Sequence, residues 1–390
     1  RAECDELIST TAQKLGIYSL ITKDYRRELF EHSDGHPYVV KVLLGEVAKS
    51  GKAGNIERIL SSKEDILDAL FERTYLKLSP AAKRVFLTLC HWRSSIARTA
   101  VEAVLVRHTN DKMDVSAAID EVVKSSFIEE SFGLGDNTEE SVLSVPLAAM
   151  VFGRKKLPIS QLSSAIEADT AVLRMFGPMR RSSTEESMLP HIEIFFNHIG
   201  DLVLGKKMPL DEYLPTILYL ARDYPYAWLL LSNLQAKIGG SSGIDQAKDS
   251  VRHFLEGASD VEDLRMGWHR LVGLCAKSED RAGELQAWVE LARTDGVQFE
   301  VLSSAAQRVN TLVSTGNIGL SYVERMILLR RLREVLSRRI DEGNATDCSR
   351  LAWMCLHMRD QKGAAQFVTQ GLRLDPNNDY CLRLASQHRW

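Results

Sequence analysis

Proline is scarce, with 10 among 390 residues, against a usual share of about 5%. That scarcity disfavours a turn-rich β-architecture and fits long helices, which Pro would interrupt. The six cysteines, Cys4, Cys90, Cys275, Cys348, Cys355 and Cys381, contain no C-x-x-C pair. This argues against a zinc ribbon and a disulfide framework, and a reducing cytoplasm is expected. No run of 18 apolar residues occurs, so no membrane-spanning helix is expected. Charge of one sign is missing too: 49 Lys and Arg face 52 Asp and Glu, a net −3. No global field therefore draws the chain onto nucleic acid or an anionic membrane. The chain opens Arg1-Ala2-Glu3, with neither an initiator Met nor a signal peptide, and reads as a piece of a longer protein.

The composition that is present, 45% hydrophobic and 26% charged, is that of a globular protein. At about 150 residues per domain the length implies two to three domains. The pattern is nearly all α. After Ser33-Asp34-Gly35-His36-Pro37, apolar residues at 39, 40, 43, 44 and 47 form one helical stripe, with Pro in the first turn. Ser61-Ser62-Lys63-Glu64 reads as a capping box opening a helix through Tyr75, and Ser79-Pro80 opens the next. Further helices are expected near Ile96 to Val106 and from Val115 to Ser125. Then residues 127–132 and 141–145 alternate around the turn Gly133–Asn137, a β-hairpin. Helices followed by one hairpin give the order of a winged helix.

Beyond Pro158 the chain is helical again. Trp228 and Trp268 stand 40 residues apart in comparable helix pairs. Leu351, Ala352, Cys355, Ala364, Val368, Gly371 and Pro376 fit a 34-residue frame starting at Ala345. This is the tetratricopeptide pattern, with small residues where paired helices touch and Pro after the second helix. The expected divisions are a helical lid at 1–60, a winged helix at 61–158, a helical connector at 159–212 and tetratricopeptide-like repeats at 213–390.

The motifs of catalysis are incomplete. Gly200 to Lys207 approaches G-x-x-x-x-G-K-[ST] but has Lys207 where the hydroxyl should be, so a helix end and turn is expected. Gly239-Gly240-Ser241-Ser242-Gly243 spells G-x-S-x-G, but between helices, without the strand that a nucleophile elbow needs. His191 and His198 lie seven apart with no further ligand at metal spacing. Cys348, Cys355 and His357 could converge, yet Cys355 falls on a packing position. No metal site is expected. The candidate recognition helix, Lys112 to Ser126, carries two Lys against Asp114, Asp120 and Glu121, and the wing is acidic. Phosphate contact needs the opposite sign, so no DNA binding through the winged helix is expected. Basic runs occur at Arg154-Lys155-Lys156, Arg180-Arg181 and the helix bearing Arg330 and Arg331. That helix reads first as a solvated face, with Arg330 and Arg331 as the candidate partner-binding residues.

Gly35-His36-Pro37 ahead of its apolar helix, the winged helix from Leu78 to Leu147, and trailing repeats form a known order. It resembles the C-terminal portion of the STAND ATPases, the signal-transducing ATPases that include NLR and apoptosome-type proteins. In that family a Gly-x-Pro turn begins a lid helix near the nucleotide base. The resemblance implies a nucleotide-facing turn at Gly35, His36 and Pro37. ATP or ADP would be held mainly by residues of a P-loop core ahead of residue 1. It also implies a protein ligand on the repeats, self-association on activation, and immune or antiphage signalling. The His that the family often places late in the winged helix has no counterpart in Ser144-Val145-Pro146-Leu147. Two other classes are a tetratricopeptide-bearing ATPase-type transcription regulator and a non-catalytic interaction scaffold.

Overall fold

In a computed structural model, residues 2–33, 36–53, 63–106, 113–132, 141–179, 187–316 and 318–388 are described. Gly35, the Ser61-Ser62 helix start, Lys112, the Gly133–Asn137 turn and Arg180-Arg181 lie outside the described residues. The chain divides into two compact units, Arg1–Tyr224 and Pro225–Trp390. Described residues form twenty α-helices and one three-stranded sheet, the all-α architecture with a small β-wing.

The first unit begins with α1 (Ala2–Lys14), α2 (Lys23–Ser33) and α3 (Pro37–Ser50). α3 buries Val39, Val40, Val42, Leu43, Leu44 and Val47. It ends at Gly51, whose left-handed φ of 67° glycine adopts at least cost. Next come α4 (Lys63–Lys77) and α5 (Pro80–Trp92). Ser79 caps α5 by accepting the Ala82 N–H at 3.1 Å, and Pro80 occupies the first turn, where its missing N–H costs nothing. β1 (Ile96–Ala97), α6 (Arg98–Leu105), α7 (Val115–Lys124), β2 (Glu129–Phe132) and β3 (Ser141–Ser144) follow. α7 buries Val115, Ala118, Ile119 and Val122, one helical face. The strands pair antiparallel in the order β1-β3-β2, with Ile96 and Glu130 both opposite Leu143. This is winged-helix topology. The expected helix from Ile96 gives up its first two residues to a third strand, and the helix starts at Arg98. α8 (Leu147–Lys156), α9 (Ser163–Leu173), α10 (Met188–Leu204) and α11 (Leu214–Asp223) complete the unit.

The second unit is a row of paired helices: α12 (Tyr226–Ile238), α13 (Gly240–Gly257), α14 (Val261–Lys277), α15 (Arg281–Arg293), α16 (Phe299–Ser314), α17 (Tyr322–Arg338), α18 (Ala345–His357), α19 (Gln361–Leu374) and α20 (Asp379–His388). A residue of positive φ marks the turn inside each pair: Gly239, Glu279, Gly319 and Arg359, at intervals of 40 residues. Asp280 and Asp360 repeat the same turn chemistry. Each accepts the N–H of a Gly three residues on at 2.9 Å, from Gly283 and Gly363. The 34-residue frame holds for the last repeat, where α18 and α20 start 34 residues apart. Earlier repeats keep the turn phase while their helices and outer loops vary.

Asp280 also receives Lys248 at 3.2 Å. Burial alone would raise its carboxyl, but the Gly283 amide and Lys248 together hold it below the ordinary value. A depressed carboxyl stabilises the fold above its unfolded pKa, and that contribution fades as pH falls through the folded value. Replacing Asp280 by Asn keeps an acceptor for the Gly283 amide but removes the counter-charge of Lys248, so it should weaken the second unit at ~pH 7 by less than ~1 kcal/mol and flatten its acid sensitivity below ~pH 4. Urea midpoints across that range provide the check; an unchanged pH slope would contradict it.

Candidate functional site

The turn before α3 presents His36 and Pro37 to solvent. His36 takes the cap position with φ −69° and ψ 116°, and no side chain caps the helix. Elsewhere Ser79 and Asp114 satisfy that role with their own oxygens. Among the described residues, no side chain accepts from the first-turn Tyr38 and Val39 N–H groups of α3, an arrangement favourable to an anion.

While that end is open, the body of α3 is locked down. Tyr38, Lys41, Gly45 and Lys49 recur at helical spacing and share one face. The Tyr38 hydroxyl donates to the Ser126 carbonyl at 2.6 Å, and the Ser126 hydroxyl donates back to the Lys41 carbonyl at 3.0 Å. Lys41 pairs with Glu129 at 2.7 Å and Lys49 with Glu121 at 2.8 Å. A Cβ on Gly45 would stand 2.6 Å from the Lys124 carbonyl oxygen. Only glycine lets α3 approach the end of α7 this closely. Beneath this face, Tyr38 meets Phe71 at 5.4 Å, and Phe71 meets Phe127 and Phe152 at 5.5 and 5.3 Å. α3 and the winged helix therefore share one aromatic core, worth more than the exposed ion pairs at ~0.2–1 kcal/mol each.

Among the described residues, the acids of α7 and β2 have internal partners. Glu121 and Glu129 serve α3. Arg98 engages Glu102 at 2.9 Å, Asp120 at 2.8 Å and Glu130 at 3.2 Å. Burial opposes the Arg98 charge, but these hydrogen bonds outweigh it and hold its pKa above the ordinary value. Glu121 shows the reverse balance: burial raises it, and Lys49 with the Ser79 amide brings it below the ordinary range.

The second unit carries the site that sequence spacing did not reveal. A cavity of about 360 Å³ opens between α16, α18 and α20. α16 contributes Gln307 and Thr311, α18 contributes Arg350 and Trp353, and α20 contributes Tyr380 and Arg383. Arg350 is fixed by Asp347 at 2.8 Å and by Gln307 at 2.7 Å, and it also donates to Ser303. Arg383 lies over the Tyr380 ring, 5.5 Å from its centroid, and makes no ion pair among the described residues.

Arg330 and Arg331 lie elsewhere, exposed on α17. Arg331 pairs with Glu290 at 3.2 Å, and its neighbour Arg333 with Asp360 at 2.9 Å. Arg339 donates to the Val297 carbonyl at 2.6 Å. Much of this basic run staples one repeat to the next.

The remaining motifs take structural places. Gly200 lies inside α10, and Gly205 ends it. Ser241 and Ser242 lie in the first turn of α13, with no strand before them. His191 and His198 bond the carbonyls of Phe176 and Met175 at 2.8 and 2.9 Å. Cys355 is buried with Ala352, Ala364, Val368 and Cys381. No group of three metal-ligating side chains occurs among the described residues, and none of their helices is long and apolar enough to cross a membrane.

No protein-family model matches the chain, and no curated protein matches it. Among solved structures it is similar to a Signal Transduction ATPase with Numerous Domains (STAND) protein with a tetratricopeptide repeat sensor from Pyrococcus horikoshii, at 12% identity and a TM-score of 0.29. The match covers 97% of this chain and 54% of that one, so the chain spans about half of that protein's length. A likeness this low carries no functional weight.

Proposed function

We propose that this chain is the regulatory and sensor portion of a STAND-type ATPase. The observation that carries the reading is the division of labour along α3. Its first turn, with His36 and Pro37, is exposed and takes no cap from the His36 side chain, while its flank is fixed to the winged helix through Tyr38, Lys41, Gly45 and Lys49. A ligand held at that turn would be coupled to the winged helix as one piece. Gly35, His36 and Pro37 would face ADP or ATP, with a P-loop core elsewhere in the whole protein supplying the main phosphate contacts. The nucleotide supplies a ligand that distinguishes resting from active states; this chain's residues would orient it and hold the lid. A protein partner on the helical repeats would favour release and self-association, a population shift that requires different contacts in the two states. The acidic side chains of α7 and β2 are engaged internally, which supports a packing role rather than DNA contact. The cytoplasm is the setting this function implies, and immune or antiphage signalling the process.

In the whole protein, reversing Lys41 and Lys49 to Glu places like charges against Glu129 and Glu121. Release of a fluorescent ADP should then accelerate at least ~10-fold. Unchanged release, with the helical content intact, would overturn the coupling of α3 to nucleotide.

A further inference from the structure

The cavity in the second unit has a sign. Its lining includes two guanidinium groups, Arg350 and Arg383, and no carboxylate. Asp347 lies buried behind Arg350 and fixes it, leaving the cavity with a surplus cation in Arg383. The two arginines differ in kind. Arg350 is held by Asp347, Ser303 and Gln307, so its remaining donors point from a fixed frame. Arg383 is exposed and stacks on Tyr380, and no ion pair among the described residues neutralises it. Beside them stand Trp353, 37% exposed, and Tyr380, 52% exposed. With Leu384 they offer apolar surface next to the charge. Gln307, Thr311 and Gln387 add neutral donors and acceptors suited to a peptide backbone.

We infer that this groove binds an internal, acidic segment of a partner protein, in which an Asp or Glu side chain adjoins a bulky apolar residue. The carboxylate would lie between the fixed Arg350 and the exposed Arg383, a charge-assisted arrangement. The apolar neighbour would cover Trp353 and Leu384. This inference rests on the reading of the repeats as a protein-binding surface and names the chemistry of what they take.

The test uses the 390-residue chain and a fluorescein-labelled dodecapeptide of alternating Asp and Leu, capped at both ends, followed by fluorescence anisotropy. Binding should weaken at least ~10-fold when Asn replaces Asp in the peptide, and equally in Arg383→Glu or the milder Arg383→Gln. Lys362→Glu, on the outer helix α19, should leave binding unchanged. Circular dichroism verifies that each variant is folded. Equal affinity for the Asp and Asn peptides would overturn the charge assignment while leaving the groove a protein site. Binding only by an uncapped peptide would overturn the internal segment in favour of a chain terminus. No binding by any peptide, with binding of a single-stranded oligonucleotide, would overturn both this inference and the protein-partner reading beneath it.

Discussion

Replacing Asp169 by Ala is expected to destabilise the first unit by about 3–5 kcal/mol, lowering its melting temperature by roughly 10 °C. Asp169 on α9 is fully buried, and Arg84 on α5 reaches it through two nitrogens at 2.8 Å each. Arg84 itself is only 9% exposed. The pair fastens α9 onto α5. Losing the carboxylate takes the counter-charge at 2.8 Å from a guanidinium that water cannot fully solvate. Replacing both residues, Arg84→Met with Asp169→Leu, removes the charge together with its partner and should recover at least half of the loss. Calorimetry resolves the effect, because the transition of the second unit should stay where it is. A single-variant shift below ~2 °C would show that the pair contributes little.

The second large effect is expected at Gly45. A valine there should cost about 2–3 kcal/mol, the range for an overpacked contact. The colliding atoms are backbone: the Lys124 carbonyl oxygen at 2.6 Å, with Ser125 Cα and carbonyl carbon at 3.3 Å. None can rotate away, so α3 has to lift. Lifting separates Tyr38 from Ser126 and Lys41 from Glu129. Hydrogen exchange should then show α3 amides losing protection while the sheet keeps its own. The matching control is Gly273→Ala on α14, where an added Cβ meets nothing within 4 Å. That change should be neutral or stabilising by up to ~1 kcal/mol, because Gly is the poorer helix former. Full protection of α3 in Gly45→Val would rule out the docking face.

These two sites also show what sequence reading captures. The α3 stripe and the Ser79-Pro80 start carry period and capping signals, and both helices form where those signals place them. The strand at Ile96-Ala97 has two residues, too few to display an alternation, and its apolar residues extend the pattern of the following helix. The acids of α7 and β2 were legible as charge. Their partners were not, because Lys41 lies 88 residues from Glu129 and Lys49 lies 72 from Glu121. The 40-residue turn phase was visible only in part: two of its positive-φ residues are Glu279 and Arg359, which carry none of glycine's signal. The groove combines polar residues of three helices, and Arg350 and Gln307 meet across 43 positions. Polar residues on exposed helix faces have no period that distinguishes a lining from ordinary surface.

If this chain governs a nucleotide held by the whole protein, that nucleotide should survive gentle purification. The most direct measurement is the nucleotide content of the purified whole protein, released by denaturation and separated by chromatography. About one ADP per chain is expected, since a ligand kept through purification must be released more slowly than the preparation takes, and less in a Pro37→Ala variant. A folded protein that releases no nucleotide would contradict the proposed role.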